Sequence, residues 1–214
     1  MGDSIYTLDL DGQKIKEIPS HYYGTSTLRH FDFTAATLFN DEIVVGCKNG
    51  DIIFYDKNLH IIHYSTTAFK VVALTVCGNN IASANTYNEI YVWSDYKTFK
   101  VFKGHTEEIT NLQSMGSYLV STSIDKTIRI WDLDGTSYVI NTGEGSIKQV
   151  AVIGPQILYY LERKLTLLDF SECNKKDETN LENKTSRHEK MRKLISNAAS
   201  LCDKAFHKFI SKFS

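Results

Sequence analysis

The sequence predicts an all-β protein built from small antiparallel sheets that repeat along the chain. Aromatic residues make up 12% of its 214 residues and prolines number only two, a composition that favours strands. Alternating apolar and polar residues run ahead of Gly, Asn or Asp turns between residues 4 and 171. The segment SIYTLDLDG at 4–12 is a weaker copy of TIRIWDLDG at 127–135, which indicates internal repetition.

A strand that ends in an aromatic residue or leucine followed by a polar residue marks each repeat. The last four of these anchors lie 38, 38 and 37 residues apart, whereas the first gap is 47 residues and requires an insertion. Repeats of about 40 residues with several strands each are typical of propeller blades. The anchors are Leu8–Asp9, Tyr55–Asp56, Trp93–Ser94, Trp131–Asp132 and Leu168–Asp169.

Each period contains the same four strands. The best-defined repeat has inner strands at 108–116, 118–125 and 127–133 and an outer strand at 137–143. A four-stranded sheet of this kind buries both faces only by stacking against neighbouring sheets, so the pattern predicts a β-propeller array. The inner strands of the other repeats are predicted within 31–57, 70–95 and 146–170, and the other outer strands at 14–18, 59–65 and 98–104.

The predicted array is short, because four complete repeats and one orphan unit suggest about four to five blades, whereas seven blades need roughly 280–320 residues. The strands at 4–12 and 14–18 are expected to lack local partners. Three interpretations stay open: a small closed ring, an open array completed by a partner, and a truncated, degenerate gene product. We expect the open or partner-completed array, since open sheet edges invite strand addition.

Residues 102–133, FKGHTEEITNLQSMGSYLVSTSIDKTIRIWDL, resemble a WD repeat. Gly104–His105 precede the unit, Asp125 lies in the turn before the last strand, and Trp131–Asp132 close that strand. The resemblance implies a structural tetrad of hydrogen-bonded side chains, without catalysis, in which the aspartate is held as a carboxylate. Its members here are His105, Ser121, Asp125 and Trp131.

The other repeats depart from this pattern. The preceding repeat keeps Trp93 and Ser83 but has Tyr87 at the turn aspartate position, and the repeat at 31–57 has Asn49 and Tyr55. We therefore expect those blades to depend on apolar packing. The repeat anchors retained as structural positions are Tyr55, Asp56, Trp93, Trp131, Asp132, Leu168 and Asp169.

The composition changes after the repeat array at 1–171. Residues 172–186 are predicted to be a polar linker, and 187–214 a basic amphipathic C-terminal helix with seven Lys/Arg against two acidic residues, a local net charge of +5. This helix is interpreted as docking on the propeller, entering a partner's groove, or lying on an anionic membrane or nucleic acid. The predicted partner-binding residues of the helix are Leu194, Ile195, Leu201, Phe206, Phe209 and Phe213.

No catalytic or metal-binding motif is present, and we expect no enzyme activity, cofactor, metal or small-molecule substrate. The four cysteines lie far apart, without zinc-site spacing, which favours reduced thiols inside a cell. His60 and His63 are predicted to be surface residues of an outer strand. The sequence lacks a secretory signal and a membrane-spanning run, so we expect an intracellular protein, with cytoplasm and nucleus or nucleolus left open.

The expected function is that of a scaffold, which binds other proteins as a subunit of a larger complex. The stretch FKGHTEEITNLQSMGSYLV, together with the basic helix, is similar to propellers of the nucleolar small-subunit processome, which implies a role in ribosome assembly. The alternative is an adaptor that binds RNA, or less readily an anionic membrane surface, through the helix. A salt-dependent affinity that is lost on deleting 187–214 would favour the adaptor.

Overall fold

The computed structural model describes residues 5–8, 13–18, 21–23, 28–143, 145–161 and 164–170. All regular secondary structure in this part of the chain is β-strand, which confirms the all-β prediction. The predicted linker at 172–186 and the helix at 187–214 lie outside the described residues.

The chain divides into two compact units, Met1–Gly104 and His105–Ser214. Among its described residues, the first unit holds two two-stranded sheets followed by two four-stranded sheets, each an antiparallel meander of consecutive strands. Its strands are β1 (Ile5–Leu8), β2 (Lys14–Ile18), β3 (His21–Tyr23), β4 (Leu28–His30), β5 (Phe33–Phe39), β6 (Glu42–Cys47), β7 (Asp51–Tyr55), β8 (Ile61–Thr66), β9 (Val71–Cys77), β10 (Asn80–Asn85), β11 (Glu89–Ser94) and β12 (Lys97–Lys103).

Within its described residues, the second unit holds a four-stranded sheet and a three-stranded sheet with the same meander order. The four-strand layout of each complete repeat is therefore confirmed at 33–66, 71–103 and 109–141. Its strands are β13 (Ile109–Met115), β14 (Tyr118–Ser123), β15 (Thr127–Asp132), β16 (Ser137–Asn141), β17 (Ile147–Ile153), β18 (Gln156–Leu161) and β19 (Lys164–Asp169).

The tight turns between strands use residues that tolerate left-handed backbone. Asn40 and Asp41 join β5 to β6 with φ angles of 47° and 64°. A two-residue hairpin turn with positive φ at both positions matches the right-handed twist of the flanking strands, and Asn and Asp adopt it at little cost. These turns fix the register of each hairpin.

Gly50 lies in the turn between β6 and β7, against the segment 67–69 that leads from β8 to β9. Its φ is 91°, and a Cβ at this position would collide with the backbone oxygen of Thr67. The backbone N–H and the hydroxyl of Thr67 donate to the Gly50 carbonyl at 2.7 and 3.0 Å. Glycine is required here because both the backbone angle and the close approach exclude a side chain.

One face of the sheet β5–β8 packs on the first strand of the next repeat, which lies in the same unit. In the first unit, Val44, Ile52 and Phe54 are buried in a cluster with Val71, and β9 contacts both β5 and β6. Gly46 permits the close approach, since a Cβ there would collide with the Val71 side chain. The apolar alternation of the strands is thus explained by burial against the adjacent repeat.

The second unit repeats this packing. Val120, Ile128 and Ile130 are buried in a cluster with Ile147 and Val150 of β17. These three positions correspond in register to those that pack on β9 in the first unit, because each pairs across the strands in the same way. The same face of these two sheets, β5–β8 and β13–β16, therefore carries the packing.

Two details of the N-terminal region differ from the sequence-based expectation. Strands β1 and β2 pair with each other from Ile5 opposite Ile18, so the expectation that they lack local partners is wrong. The short hairpin β3–β4 was not predicted, because three-residue strands are too short to establish an alternating pattern.

Candidate functional site

The four residues of the implied tetrad meet in a continuous hydrogen-bonded chain in the second unit. His105 Nδ1 lies 2.8 Å from Asp125 Oδ2, and His105 Nε2 lies 2.7 Å from Ser121 Oγ. The indole N–H of Trp131 donates to Ser121 Oγ at 2.7 Å. Ser121 thus accepts from the indole and donates to the imidazole, while the imidazole donates to the carboxylate.

Asp125 connects this chain to the turn between β14 and β15. Its Oδ1 accepts the Thr127 N–H at 2.9 Å and the Thr127 hydroxyl at 2.6 Å, and its Oδ2 also accepts the Thr106 N–H at 3.1 Å. Ser123 braces the same turn, since its hydroxyl donates to the Glu107 carbonyl at 2.9 Å. The tetrad therefore joins the segment before β13 to β14 and β15.

The electrostatics of the pair favour a neutral imidazole beside a carboxylate. Burial lowers the pKa of His105 and outweighs the opposing effect of the Asp125 carboxylate. Burial alone would raise the pKa of Asp125, but hydrogen bonds from Thr127, His105 and Thr106 bring it below the ordinary value. Both pKa shifts favour the protonation states that the hydrogen bonds require, a neutral imidazole and an ionised carboxylate.

The stability of the protein is expected to decrease as the pH is lowered from 7.5 to 5. Because the folded pKa of His105 lies below its unfolded value, its contribution is complete above the unfolded pKa and is lost as the pH falls through the folded pKa. The contribution of Asp125 has the same sign but is lost only in more acidic solution. Melting temperatures of the wild type and His105→Gln across this range measure the effect.

The His105→Gln variant should melt at a lower temperature but change less with pH than the wild type. His60, which is exposed, is changed to Gln as the comparison for the loss of a surface imidazole. An equal pH dependence in the wild type and His105→Gln would contradict the neutral, buried state of this histidine.

The preceding repeat contains half of the same network. Trp93 donates its indole N–H to Ser83 Oγ at 2.8 Å, as Trp131 does to Ser121. The turn is held by Asn85, whose Oδ1 accepts the backbone N–H groups of Tyr87 and Glu89 at 2.9 and 3.2 Å. The expectation that this sheet depends on apolar packing missed Asn85, although an asparagine two residues before a turn is a signal for such capping.

In the first complete repeat, at 33–66, a different pair of side chains is hydrogen-bonded at the turn between β6 and β7. Asn49 Nδ2 donates to Asp51 Oδ2 at 2.6 Å, and the Asp51 N–H donates to Asn49 Oδ1 at 3.2 Å. Tyr55, at the anchor position, is buried, and burial raises the pKa of its hydroxyl. Burial also raises the pKa of the free Cys47 thiol to about 12, so this cysteine is an unreactive core residue.

The remaining anchors hold turns or fill the core. Asp56 Oδ1 accepts the N–H groups of Asn58 and His60, each at 2.8 Å. Asp132 Oδ1 accepts the Asp134 N–H at 3.2 Å, Asp169 accepts a bond from Gln156 at 2.9 Å, and Leu168 is buried in the core of the second unit. The predicted helix residues Leu194, Ile195, Leu201, Phe206, Phe209 and Phe213 lie outside the described residues.

The polar network is enclosed. The side chains of His105 and Asp125 are 0% and 6% exposed, and Ser121 is fully buried. A histidine, a serine and an aspartate in this setting position protein segments, since a substrate has no access to them. Among the residues that the structure describes, no group of three or more His, Cys, Asp or Glu side chains is arranged to hold a metal ion.

An apolar face of the last described sheet is exposed. Leu165 and Leu167 occupy the positions equivalent to Ile128 and Ile130, and each pairs with β18 in the same register. Ile128 and Ile130 are fully buried, whereas Leu165 and Leu167 are 62% and 54% exposed. The half-exposed Tyr160 adjoins them, because it pairs directly with Leu165. Sequence alternation predicted these strands but not which of their faces is exposed among the described residues.

The segment with the clearest repeat pattern also matches a known family model. Residues 96–132 match the family model described as WD domain, G-beta repeat. An uncharacterized WD repeat-containing protein of Schizosaccharomyces pombe is 45% identical over 64 residues, which cover 28% of this chain and 17% of that relative.

Solved structures share the fold over most of the chain. The structure of U3-55K superposes with a TM-score of 0.68 at 17% identity, covering 78% of this chain and 55% of that one. The RRP9 WD40 repeats superpose with a TM-score of 0.62 at 14% identity, covering 71% and 51%. The chain thus spans about half the length of these two structures. The segment at 96–132 thus matches a WD repeat, and the antiparallel four-stranded sheets of the chain are similar in fold to solved WD40 repeat structures.

Proposed function

We propose that this chain is a non-enzymatic scaffold that binds other proteins as a subunit of a larger complex. The observation that carries the proposal is the exposed apolar face of β17–β19. Leu165 and Leu167 lie on this face, and the equivalent positions are buried in the sheets β5–β8 and β13–β16. Exposed leucine and tyrosine side chains that adjoin one another favour association with a protein surface.

The contrast between this face and the polar network supports the same conclusion. The groups with chemical reactivity, His105, Ser121 and Asp125, are enclosed and use their hydrogen bonds within the fold. The groups that stay accessible on the last sheet, Leu165 and Leu167, offer apolar area without catalytic chemistry. Such a distribution suits a binding module.

A finer proposal concerns the complex. The fold neighbours include U3-55K and the RRP9 WD40 repeats, which supports the sequence-based expectation of a ribosome-assembly complex similar to the small-subunit processome, and of a nucleolar location. In this proposal the array at 1–171 presents one surface, and the basic segment at 187–214 forms a second contact through its apolar residues. No helix of the described residues is sufficiently long and apolar to cross a membrane.

Affinity purification of the tagged chain with mass spectrometry tests the scaffold. The double variant Leu165→Asp/Leu167→Asp should recover its partners at least fivefold less than the wild type, because charges on this face oppose burial. A matched variant, Leu38→Asp/Ile62→Asp, changes two exposed apolar residues of another sheet and should keep the partners. Equal recovery by both variants, each with the wild-type melting temperature, would contradict the proposal for this face.

The same affinity purification distinguishes the scaffold from the alternative function, an adaptor for RNA or an anionic surface. Deleting 187–214 removes the excess of basic residues, and an adaptor for RNA or an anionic surface would then lose its ligand. Partners that survive washing at high salt support the scaffold, whereas ligands that are released by salt and by the deletion support the adaptor.

A further inference from the structure

A cavity of about 340 Å³ lies in the first unit, where the sheets β5–β8 and β9–β12 meet. Its volume falls in the range of small-ligand and side-chain sites. Aromatic rings form much of its wall, and the only charged groups among its lining residues are two carboxylates. These lining residues are Phe39, Phe54, Trp93 and Tyr96 for the rings and Glu42 and Asp95 for the carboxylates.

The Glu42 carboxylate has an incomplete set of partners. Its Oε1 accepts the Tyr96 hydroxyl at 2.6 Å, which links the two sheets across the cavity. Its Oε2 is enclosed and has no hydrogen-bond partner among the described residues. An enclosed carboxylate oxygen without a donor is unfavourable, and a positive charge in the adjoining cavity would offset this cost.

Tyr96 is held in place at the cavity by several contacts. Its ring meets Phe54 edge-on at 5.0 Å and lies 4.7 Å from the His63 ring, and Ser65 Oγ donates to its carbonyl at 3.0 Å. His63, predicted as a surface residue of the outer strand, is partly exposed, and its ring also contacts Phe54 and Tyr96. Tyr96 has a φ of 63°, which is rare for a bulky residue and requires such support.

The corresponding turn of the next repeat provides a comparison. Between β15 and β16, the positive φ falls on Gly135, at 97°. The β11–β12 turn instead has Asp95 and Tyr96 in left-handed conformations, at 48° and 63°. This turn places a carboxylate and an aromatic ring beside the cavity, and the left-handed Tyr96 has a conformational cost that glycine would avoid.

We propose that this cavity binds the cationic side chain, lysine or arginine, of a partner protein. The aromatic walls would cover the aliphatic stem and face the charge, while Glu42 and Asp95 would neutralise it. The inference rests on the proposed scaffold function and adds the chemistry of one partner contact. A neutral side chain of similar length would leave both carboxylates uncompensated and should bind poorly.

Two-dimensional NMR of the full chain tests the site with three capped pentapeptides, Gly-Gly-Xaa-Gly-Gly, where Xaa is arginine, lysine or glutamine. The arginine and lysine peptides should shift the indole signal of Trp93, which lines the cavity, and leave that of Trp131 in place. Glu42→Gln should weaken the binding at least tenfold, because it removes one of the two charges. Glu107→Gln, an equal change at an exposed residue, should leave the binding unchanged.

The outcomes separate the site from the scaffold. Equal shifts with the glutamine peptide, or unchanged binding to a folded Glu42→Gln variant, would overturn the cation site. If no peptide binds but partner recovery still depends on Leu165 and Leu167, the cavity proposal fails and the scaffold stands. If the cationic peptides bind as expected while no protein partner is recovered, the cavity is a cation site and the scaffold proposal fails.

Discussion

Replacing Trp131 by alanine is expected to lower the free energy of unfolding by about 3–5 kcal/mol, the range for truncating a buried tryptophan. The indole is almost fully buried, donates to Ser121 at 2.7 Å and lies edge-on to the His105 ring at 6.1 Å. The Arg129 guanidinium lies 5.6 Å from the centre of its ring. The substitution would leave a cavity and remove the donor at the end of the hydrogen-bonded chain.

Denaturant unfolding followed by circular dichroism measures this loss. Trp131→Phe keeps most of the apolar volume but removes the N–H, so it should cost less than Trp131→Ala, about 1–3 kcal/mol. Trp93→Phe is the matched control. It removes the same indole donor, here to Ser83, from a repeat that has Tyr87 in place of the turn aspartate. Unchanged unfolding of Trp131→Ala would mean that the tetrad does not support the fold.

The strand order could be predicted from sequence because each strand alternates between two faces. The segments predicted at 118–125 and 127–133 contain β14 and β15, since apolar alternation directly reports burial against a neighbouring sheet. The tetrad could not be predicted in this way. His105 and Trp131 are 26 residues apart, and an alternating pattern does not indicate which distant residues come into contact. Their proximity depends on strand register, and only the family resemblance implied it before the structure placed them.

Other contacts could not be predicted because they depend on backbone angles and on how sheets meet. Tyr87 stands where the family pattern has the turn aspartate, and its ring stacks on that of Phe69 with the ring centroids 3.7 Å apart. The link from Tyr96 to Glu42 spans 54 residues and joins two separate hairpin turns. Such contacts depend on how the sheets pack against one another, and no local pattern in the sequence indicates them.

Replacing Asp125 by alanine should cost about 2–4 kcal/mol, because several hydrogen bonds to one charged group are lost together. The carboxylate accepts from His105, from the Thr106 N–H and from both donors of Thr127. Without it, the imidazole Nδ1–H loses this acceptor inside the fold. The imidazole is then held less firmly against Ser121, so the loss extends along the chain to Trp131.

Chemical denaturation of Asp125→Ala, Asp125→Asn and Asp134→Ala separates charge from packing. Asp125→Asn keeps an oxygen acceptor but loses the charge, so its stability should lie between those of the wild type and Asp125→Ala. Asp134 lies exposed in a turn of the same sheet, and its replacement should change stability by about 0.5 kcal/mol or less. If the Asp125 and Asp134 variants unfold alike, the carboxylate of Asp125 contributes no more than a surface turn residue. If Asp125→Ala is costly and Trp131→Phe adds nothing further in the double variant, the two ends of the network act as one unit.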